Sequence, residues 1–302
     1  MLNHFNSNES SILISNKKIT GSIDLARFRY LIKLDCSQNE ITLLSNINKC
    51  VNLEFLNCTS NKIINLNNLP NKLKWLYCSN NPICSLDNLP STLLYLVCKS
   101  CNLVKLDNLP RNLKKIICPH NKINMLNNLP SSIIELDLSH NKVIQLDNLP
   151  SSIIELDLSH NQVIQLDNLP SSIIKLNCSF NKIKSFDNLP NSIEEINISF
   201  NDYKEIYMDN LPKRLKKIYF DKKIPNCFED IYNIHNIKIP FRNVRLNKWD
   251  VKKKSMNDYY LQSKSVDEYI ITFSPNEYDE ELDNCYYCNE CVGYYYCQCY
   301  YT

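Results

Sequence analysis

The chain repeats itself every twenty residues. Pro70, Pro90, Pro110, Pro130, Pro150, Pro170 and Pro190 are evenly spaced, each preceded by Leu and, one earlier, by Asn; an eighth copy ends at Pro212 after a two-residue slip. Asn61, Asn81, Asn121, Asn141, Asn161, Asn181 and Asn201 keep the same beat. A period this short means one small unit stacked along an axis. Stacking of that kind offers a long surface rather than a pocket. Binding is therefore expected ahead of catalysis.

Within the unit Ile153–Pro170, Leu156-Asp157-Leu158 alternates as a half-buried strand must, with Ile153, Leu156 and Leu158 pointing inward. Asn161 ends the strand, where its amide can satisfy backbone groups of a buried turn. Val163, Leu166 and Leu169 bring the chain back inward on the other side. Leu169 precedes Pro170, which biases it toward extended backbone, and the proline lacks a donor, so a long helix is disfavoured there. One unit buries too few aliphatics to offset the ordering of its own backbone, so many must stack. Ten strand segments are expected, starting near Leu31, Leu53, Leu73, Leu93, Leu113, Ile133, Ile153, Ile173, Ile193 and Leu215. The units Ser131–Pro150 and Ser151–Pro170 differ only at Lys142 and Gln162, the mark of tandem duplication.

The pattern L-x-x-L-x-[LC]-x-x-N, carried by Leu53, Leu56, Cys58, Asn61 and again by Ile153, Leu156, Leu158, Asn161, resembles a leucine-rich repeat. The twenty-residue length and the Leu-Pro of each unit resemble the short repeats of bacterial type III effectors and of leucine-rich repeat proteins from amoeba-infecting giant viruses. Abundant Asn, Lys, Ile and Tyr, with only two Gly, point to an AT-rich genome of the second kind. The resemblance covers about two thirds of the chain and implies a horseshoe solenoid. Its parallel β-sheet would line the concave face, with extended or single-turn convex segments and little helix. Cys101 departs from the pattern by standing in the Asn position.

Four regions follow. Residues 1–27 are expected to form an N-terminal cap, with Ser11–Ile19 a degenerate first unit, and residues 28–224 the solenoid of about ten units. Residues 225–242 form a C-terminal cap whose closing strand is Ile234–Phe241, and residues 243–302 a polar, then Cys/Tyr-rich, flexible tail. Net charge is +2, so no global field argues for nucleic acid. From Lys238 to Lys254 seven basic residues face Asp250, and nine acids face Lys264 thereafter, blocks that read as solvated chain. The opening residues MLNHFNSNESSILISNKK have no continuous apolar stretch of the kind a secretory leader needs, and no apolar run is long enough to span a bilayer. Of fifteen cysteines, Cys36, Cys58, Cys78, Cys98, Cys118 and Cys178 share a repeat position held elsewhere by Leu138, Leu158 and Ile198. They read as small buried thiols in a reducing compartment.

Residues between the inward positions form rows along the stack. Phe55, Trp75, Tyr77 and Tyr95 would make an aromatic patch over the early units, a surface suited to anchoring a protein. Glu135, Asp137, Glu155 and Asp157 gather like charge mid-array; they suit a basic partner surface and lack the contrasting environments of an acid–base pair. A third row runs His120, His140, His160, Phe180, Phe200; Phe180 and Phe200 are expected to join the partner-binding surface, and the histidines at strand spacing suggest metal binding or pH sensing, although duplication alone produces such a row.

The last residues carry Cys285-x2-Cys288-x2-Cys291-x5-Cys297-x-Cys299 among seven tyrosines. Two overlapping C-x-x-C steps can place thiolates around zinc; the alternatives are a disordered, oxidation-prone or acylated tail. No other cofactor is expected. The functional expectation is a non-enzymatic, monomeric protein-interaction scaffold in the cytosol, that of a host cell if the chain is viral, with no nucleic-acid partner and no transmembrane segment. Two alternatives stand beside it: a substrate adaptor of a ubiquitin ligase, and a solenoid carrying a zinc-binding or lipid-anchored Cys-rich tail. Effectors with similar repeats carry a separate ubiquitin-ligase domain with a Cys-x-Asp motif, and no Cys-x-Asp occurs in this chain.

Overall fold

The proline at the end of each unit sets the start of the next strand. The carbonyls of Pro70, Pro90, Pro110, Pro130, Pro150, Pro170 and Pro190 each accept a hydrogen bond from the N–H three residues on, closing a tight turn just before the strand. The computed structural model describes residues 2–202 and 211–220, together with the backbone of three later strands. It divides into two compact units, Met1–Leu215 and Lys216–Thr302.

In the first unit the chain makes β1 (Ser11–Leu13), β2 (Thr20–Asp24), β3 (Lys33–Asp35), β4 (Glu40–Ser45) and β5 (Phe55–Asn57). The array continues with β6 (Trp75–Tyr77), β7 (Tyr95–Val97), β8 (Lys115–Ile117), β9 (Glu135–Asp137), β10 (Glu155–Asp157), β11 (Lys175–Asn177) and β12 (Glu195–Asn197). Strands β1, β3 and β5 through β12 form one parallel sheet in chain order. From β5 onward the register matches equivalent residues, so Glu135 pairs with Glu155 and Glu155 with Lys175. Among the described residues helix is confined to two single turns, Leu2–His4 and Ile47–Lys49.

Each strand of the parallel sheet from β1 to β12 is three residues long because its neighbours in sequence must turn. The middle residue is buried and its two flanks stand on the sheet surface. Four residues past that middle residue the backbone enters the left-handed region, at Ser60, Asn80, Ser100, His120, His140, His160, Phe180 and Phe200, with φ between 53° and 56°. A second left-handed residue, Asn68, Asn88, Asn108, Asn128, Asn148, Asn168 or Asn188, turns the convex side back toward the sheet. Asn tolerates that conformation better than most side chains. From β5 onward the stretch between the two corners forms neither helix nor strand, and the Leu-Pro pair follows directly after the second corner.

The first two convex segments differ. β2 and β4 pair as a separate two-stranded parallel sheet, with a register shift at Gly21 and Ser22. These segments lack the Asn-Leu-Pro ending, so no proline interrupts their donors, and Gly21 adopts a positive φ of 73° at the irregularity.

The interior is a stack of aliphatics and thiols. Ile153, Leu156, Leu158, Val163 and Leu166 are buried, as are their equivalents in neighbouring units. Cys36, Cys58, Cys78, Cys98, Cys118 and Cys178 are fully buried at the shared position and carry free thiols. Burial pushes the Cys36 thiol up to about 12 and those of Cys58 and Cys178 well above their ordinary value. These thiols are packing groups, not nucleophiles.

The buried asparagines hold the turns together. Asn141 Nδ2 donates to the carbonyls of Cys118, Leu138 and Ser139 at 3.0–3.1 Å, while its Oδ1 accepts the N–H of Ile123 in the preceding unit at 3.0 Å. The same four bonds recur at Asn81, Asn161, Asn181 and Asn201. One rung is missing. At Cys101 the thiol donates to the carbonyls of Cys78 and Lys99 at 3.3 and 3.4 Å, imitating the amide's donor half. It supplies no matching acceptor, and the N–H of Ile83 turns to the carbonyl of Asn81 instead.

In the second unit, β13 (Lys217–Phe220) pairs in parallel with β16 (Ile270–Phe273), which continues antiparallel to β15 (Tyr259–Ser263) and then β14 (Trp249–Lys253). Residues 243–302, expected as a flexible tail, thus contain three strands among the described residues. The proposed closing strand Ile234–Phe241 lies outside the described residues.

Two substitutions test the asparagine ladder. Asn141→Ala should cost about 2–4 kcal/mol by stranding one buried donor and three carbonyls. Cys101→Asn should gain about 1 kcal/mol by giving the Ile83 N–H its acceptor. Urea unfolding followed by circular dichroism reads both, and a destabilised Cys101→Asn variant would contradict this account of the gap.

Candidate interaction surface

The sheet surface is built from the flanking residues of each strand, so its chemistry is set unit by unit. Over β5 to β7 it is aromatic. Phe55 and Tyr77 lie with ring centroids 5.4 Å apart, and Trp75 stacks on Tyr95 at 6.1 Å with planes 10° apart. Lys33 sits over the Phe55 ring at 5.0 Å and Lys74 over Trp75 at 5.8 Å. Tyr95 is 37% exposed and the other three are half-buried. Val97 and Ile117, half-buried beside Tyr77 in the same row, extend the patch to β8.

The carboxylates that follow divide into two rows. Glu135 is ion-paired to Lys115, and Glu155 to Lys175 at 2.7 Å, so a lysine bounds the outer row on each side. Such half-exposed pairs add little stability, but they neutralise the row. Asp137 and Asp157 form the inner row, adjacent in register. Asp137 accepts the N–H of Ser139 at 2.9 Å; Asp157 accepts that of Ser159 at 2.8 Å and the amide of Asn177 at 3.0 Å. Burial, and then the charge of Asp157 alongside, raise the Asp137 carboxyl to about 6. Of the four acids singled out in the sequence, the outer pair is neutralised by lysine ion pairs, whereas the inner pair is held by hydrogen bonds, with the Lys99 charge favouring ionisation of Asp137. The cavity lined by Asn127, Asn128, Leu129 and Asn148 belongs to the convex corner and has no titratable lining.

The third row does not share the sheet surface. His120, His140, His160, Phe180 and Phe200 occupy the left-handed corner after each strand and stack face on face, half-buried. Successive centroids are 4.0, 3.9, 4.1 and 4.2 Å apart. Phe180 and Phe200, expected to meet a partner, pack in this column. The sequence showed the row; it did not show the positive φ that turns it off the sheet. Among the described residues no group of three His, Cys, Asp or Glu side chains converges on a metal position. Cys285, Cys288, Cys291, Cys297 and Cys299 lie outside the described residues. Among the described residues no helix is long and apolar enough to cross a membrane.

Solved structures resemble this arrangement closely enough to fix its class. The functional domain of InlJ from Listeria monocytogenes, described as including a cysteine ladder, matches with a TM-score of 0.55 at 25% identity, over 72% of this chain and 55% of that one. This chain has the leucine-rich repeat fold. A chain in the octameric complex of Latrophilin 3, Unc5D and FLRT2 (LRR) matches with a TM-score of 0.55 at 16% identity, over 71% of this chain and 82% of that one. The TLR13–ssRNA13 complex matches with a TM-score of 0.51 at 20% identity, over 68% of this chain and 36% of that one. The leucine-rich repeat region here thus spans about half of the InlJ domain. No protein-family model and no curated protein matches the sequence.

The inner carboxylates carry a pH signature. Because the folded state raises the Asp137 carboxyl from 3.8 to about 6, its ionisation opposes folding. That penalty is absent below about pH 4 and full above about pH 6. Asp137→Asn keeps the acceptor for Ser139, as Asn177 does for Ser179 at 3.2 Å. The variant should be more stable than the parent at about pH 7 and indistinguishable from it below about pH 4. Urea midpoints across that range check it.

Proposed function

We propose that this chain is a non-enzymatic protein-interaction scaffold that seats its partner on the concave sheet over β5 to β10. Phe55, Trp75, Tyr77 and Tyr95 anchor apolar side chains, and the Asp137–Asp157 pair takes a basic group. The supporting observation is the continuous aromatic and aliphatic surface from Phe55 to Ile117, which ends against the inner carboxylates Asp137 and Asp157. Large aromatics held by a stacked sheet give up little conformational freedom on binding, which favours affinity. Solved leucine-rich repeat structures in protein assemblies, such as the Latrophilin 3–Unc5D–FLRT2 complex, support the same class of role.

The finer reading is a monomer of the short-repeat type, resembling leucine-rich repeat proteins of amoeba-infecting giant viruses and engaging host proteins in the host cytosol. It uses no cofactor and binds no nucleic acid.

Affinity capture from amoebal cytosol, followed by titration of the purified partner, tests the site. The triple variant Phe55→Ser, Trp75→Ser, Tyr95→Ser, shown folded by circular dichroism, should bind that partner on the order of 100-fold more weakly. Asp137→Asn with Asp157→Asn should lose the salt-sensitive part of the affinity. Unchanged affinity in both variants would remove the concave face from consideration. Ubiquitin-ligase subunits among the captured proteins would favour the adaptor role.

A further inference from the structure

The ring column has an internal contrast that the rest of the fold lacks. Five consecutive units place a flat ring at the same left-handed corner, with φ of 53°–55° throughout and centroid spacings of 3.9–4.2 Å. The last two rings are phenylalanines and the first three are histidines. A neutral imidazole stacks as a phenyl ring does; an imidazolium does not stack favourably on another imidazolium. At 3.9 Å and half burial, two like charges repel by several kcal/mol at an effective dielectric constant of about 20. His140 is worst placed, because it has a histidine on both faces.

The surrounding charges sharpen the contrast. Lys99, one unit earlier, faces His120 and His140 and opposes their protonation, while Asp157 in β10 faces His160 and favours it. Asp137, in β9, takes up its own proton near pH 6. Desolvation, then Lys99 and His160, lower His120 to about 4; desolvation, then the flanking His160 and His120 and last Lys99, lower His140 to about 3; desolvation lowers His160 against the opposing pull of Asp157.

We propose that the His120–His140–His160 column is an acid-sensitive splint: neutral, it continues the Phe180–Phe200 stack through the middle of the array, and protonated, it parts and loosens these three units. The sign follows from the lowered values. Histidines depressed below 6.5 in the folded state lend full stability above that pH and lose it as pH falls toward their folded values. His160 takes the first proton, since the Asp157 charge favours its protonated form.

The test compares the full chain with the variant His120→Phe, His140→Phe, His160→Phe, which extends a stack the protein already makes. Between about pH 7.5 and about pH 4.5 the parent's folding equilibrium should fall by on the order of 10- to 100-fold per histidine relative to the variant, read from urea midpoints. Asp137 is present in both chains and cancels. Amide hydrogen exchange at the lower pH should accelerate in residues 118–162 of the parent and not of the variant. A parent and variant with the same pH profile would overturn the proposal. Should the triple variant fail to fold, NMR titration of the parent's imidazoles decides: all three lowered from 6.5, with His160 highest, supports the splint, and ordinary values near 6.5 refute it.

Discussion

Everything in this array depends on how the corner after each strand disposes of its buried backbone. The chain turns sharply there, inside the core, where carbonyls and N–H groups cannot reach water. A buried amide side chain answers that need because it carries donors and an acceptor on one planar group. Asn141 shows the economy of the solution: three carbonyls and one N–H are satisfied by one side chain, and the N–H belongs to the unit before. The bond therefore fixes the corner and also couples neighbouring units. Stacking follows from the same residue that allows the turn.

The thiol at position 101 shows which half of that role is dispensable. A cysteine can donate weakly to carbonyls at 3.3–3.4 Å, but its sulfur is a poor acceptor. The donor half is kept and the coupling half is lost, with the Ile83 N–H diverted into its own unit. The break falls within the aromatic region, between the unit of Trp75 and Tyr77 and the unit of Tyr95. The pairings of β6 with β7 and of β7 with β8 run past it unchanged, because the ladder of backbone bonds does not use the side chain.

Much of this was legible in the sequence, for a definable reason. Inward positions, strand centres and the buried asparagines are fixed by a twenty-residue beat, and stacking turns a beat into a register. The aromatic patch follows from the same arithmetic, since Phe55, Trp75 and Tyr95 are register partners. Backbone conformation is another matter. Nothing in Ser-His-Asn or Ser-Phe-Asn announces a left-handed φ, because bulky side chains rarely adopt it, and so Phe180 and Phe200 read as sheet residues. The pairing of Glu135 with Lys115 and of Glu155 with Lys175 was equally hidden: composition counts four acids, and only side-chain placement separates the neutralised row from the charged one. The β2–β4 pair is legible in retrospect as the convex segments without Asn-Leu-Pro.

Duplication explains why opposite outcomes sit side by side. Copying Ser131–Pro150 into Ser151–Pro170 places every residue directly against its own image. A ring copied this way gains a stacking partner, so His140 on His160 is favourable as long as both are neutral. A carboxylate copied this way gains a like charge, and Asp157 alongside raises the cost of ionising Asp137. Glu135 and Glu155 escape because the units on each side bring lysines into the same row. In a repeat array the sign of an interaction is thus decided by whether the side chain tolerates itself as a neighbour. The residues that do not, here the inner aspartates, are the ones left with chemistry to offer another molecule.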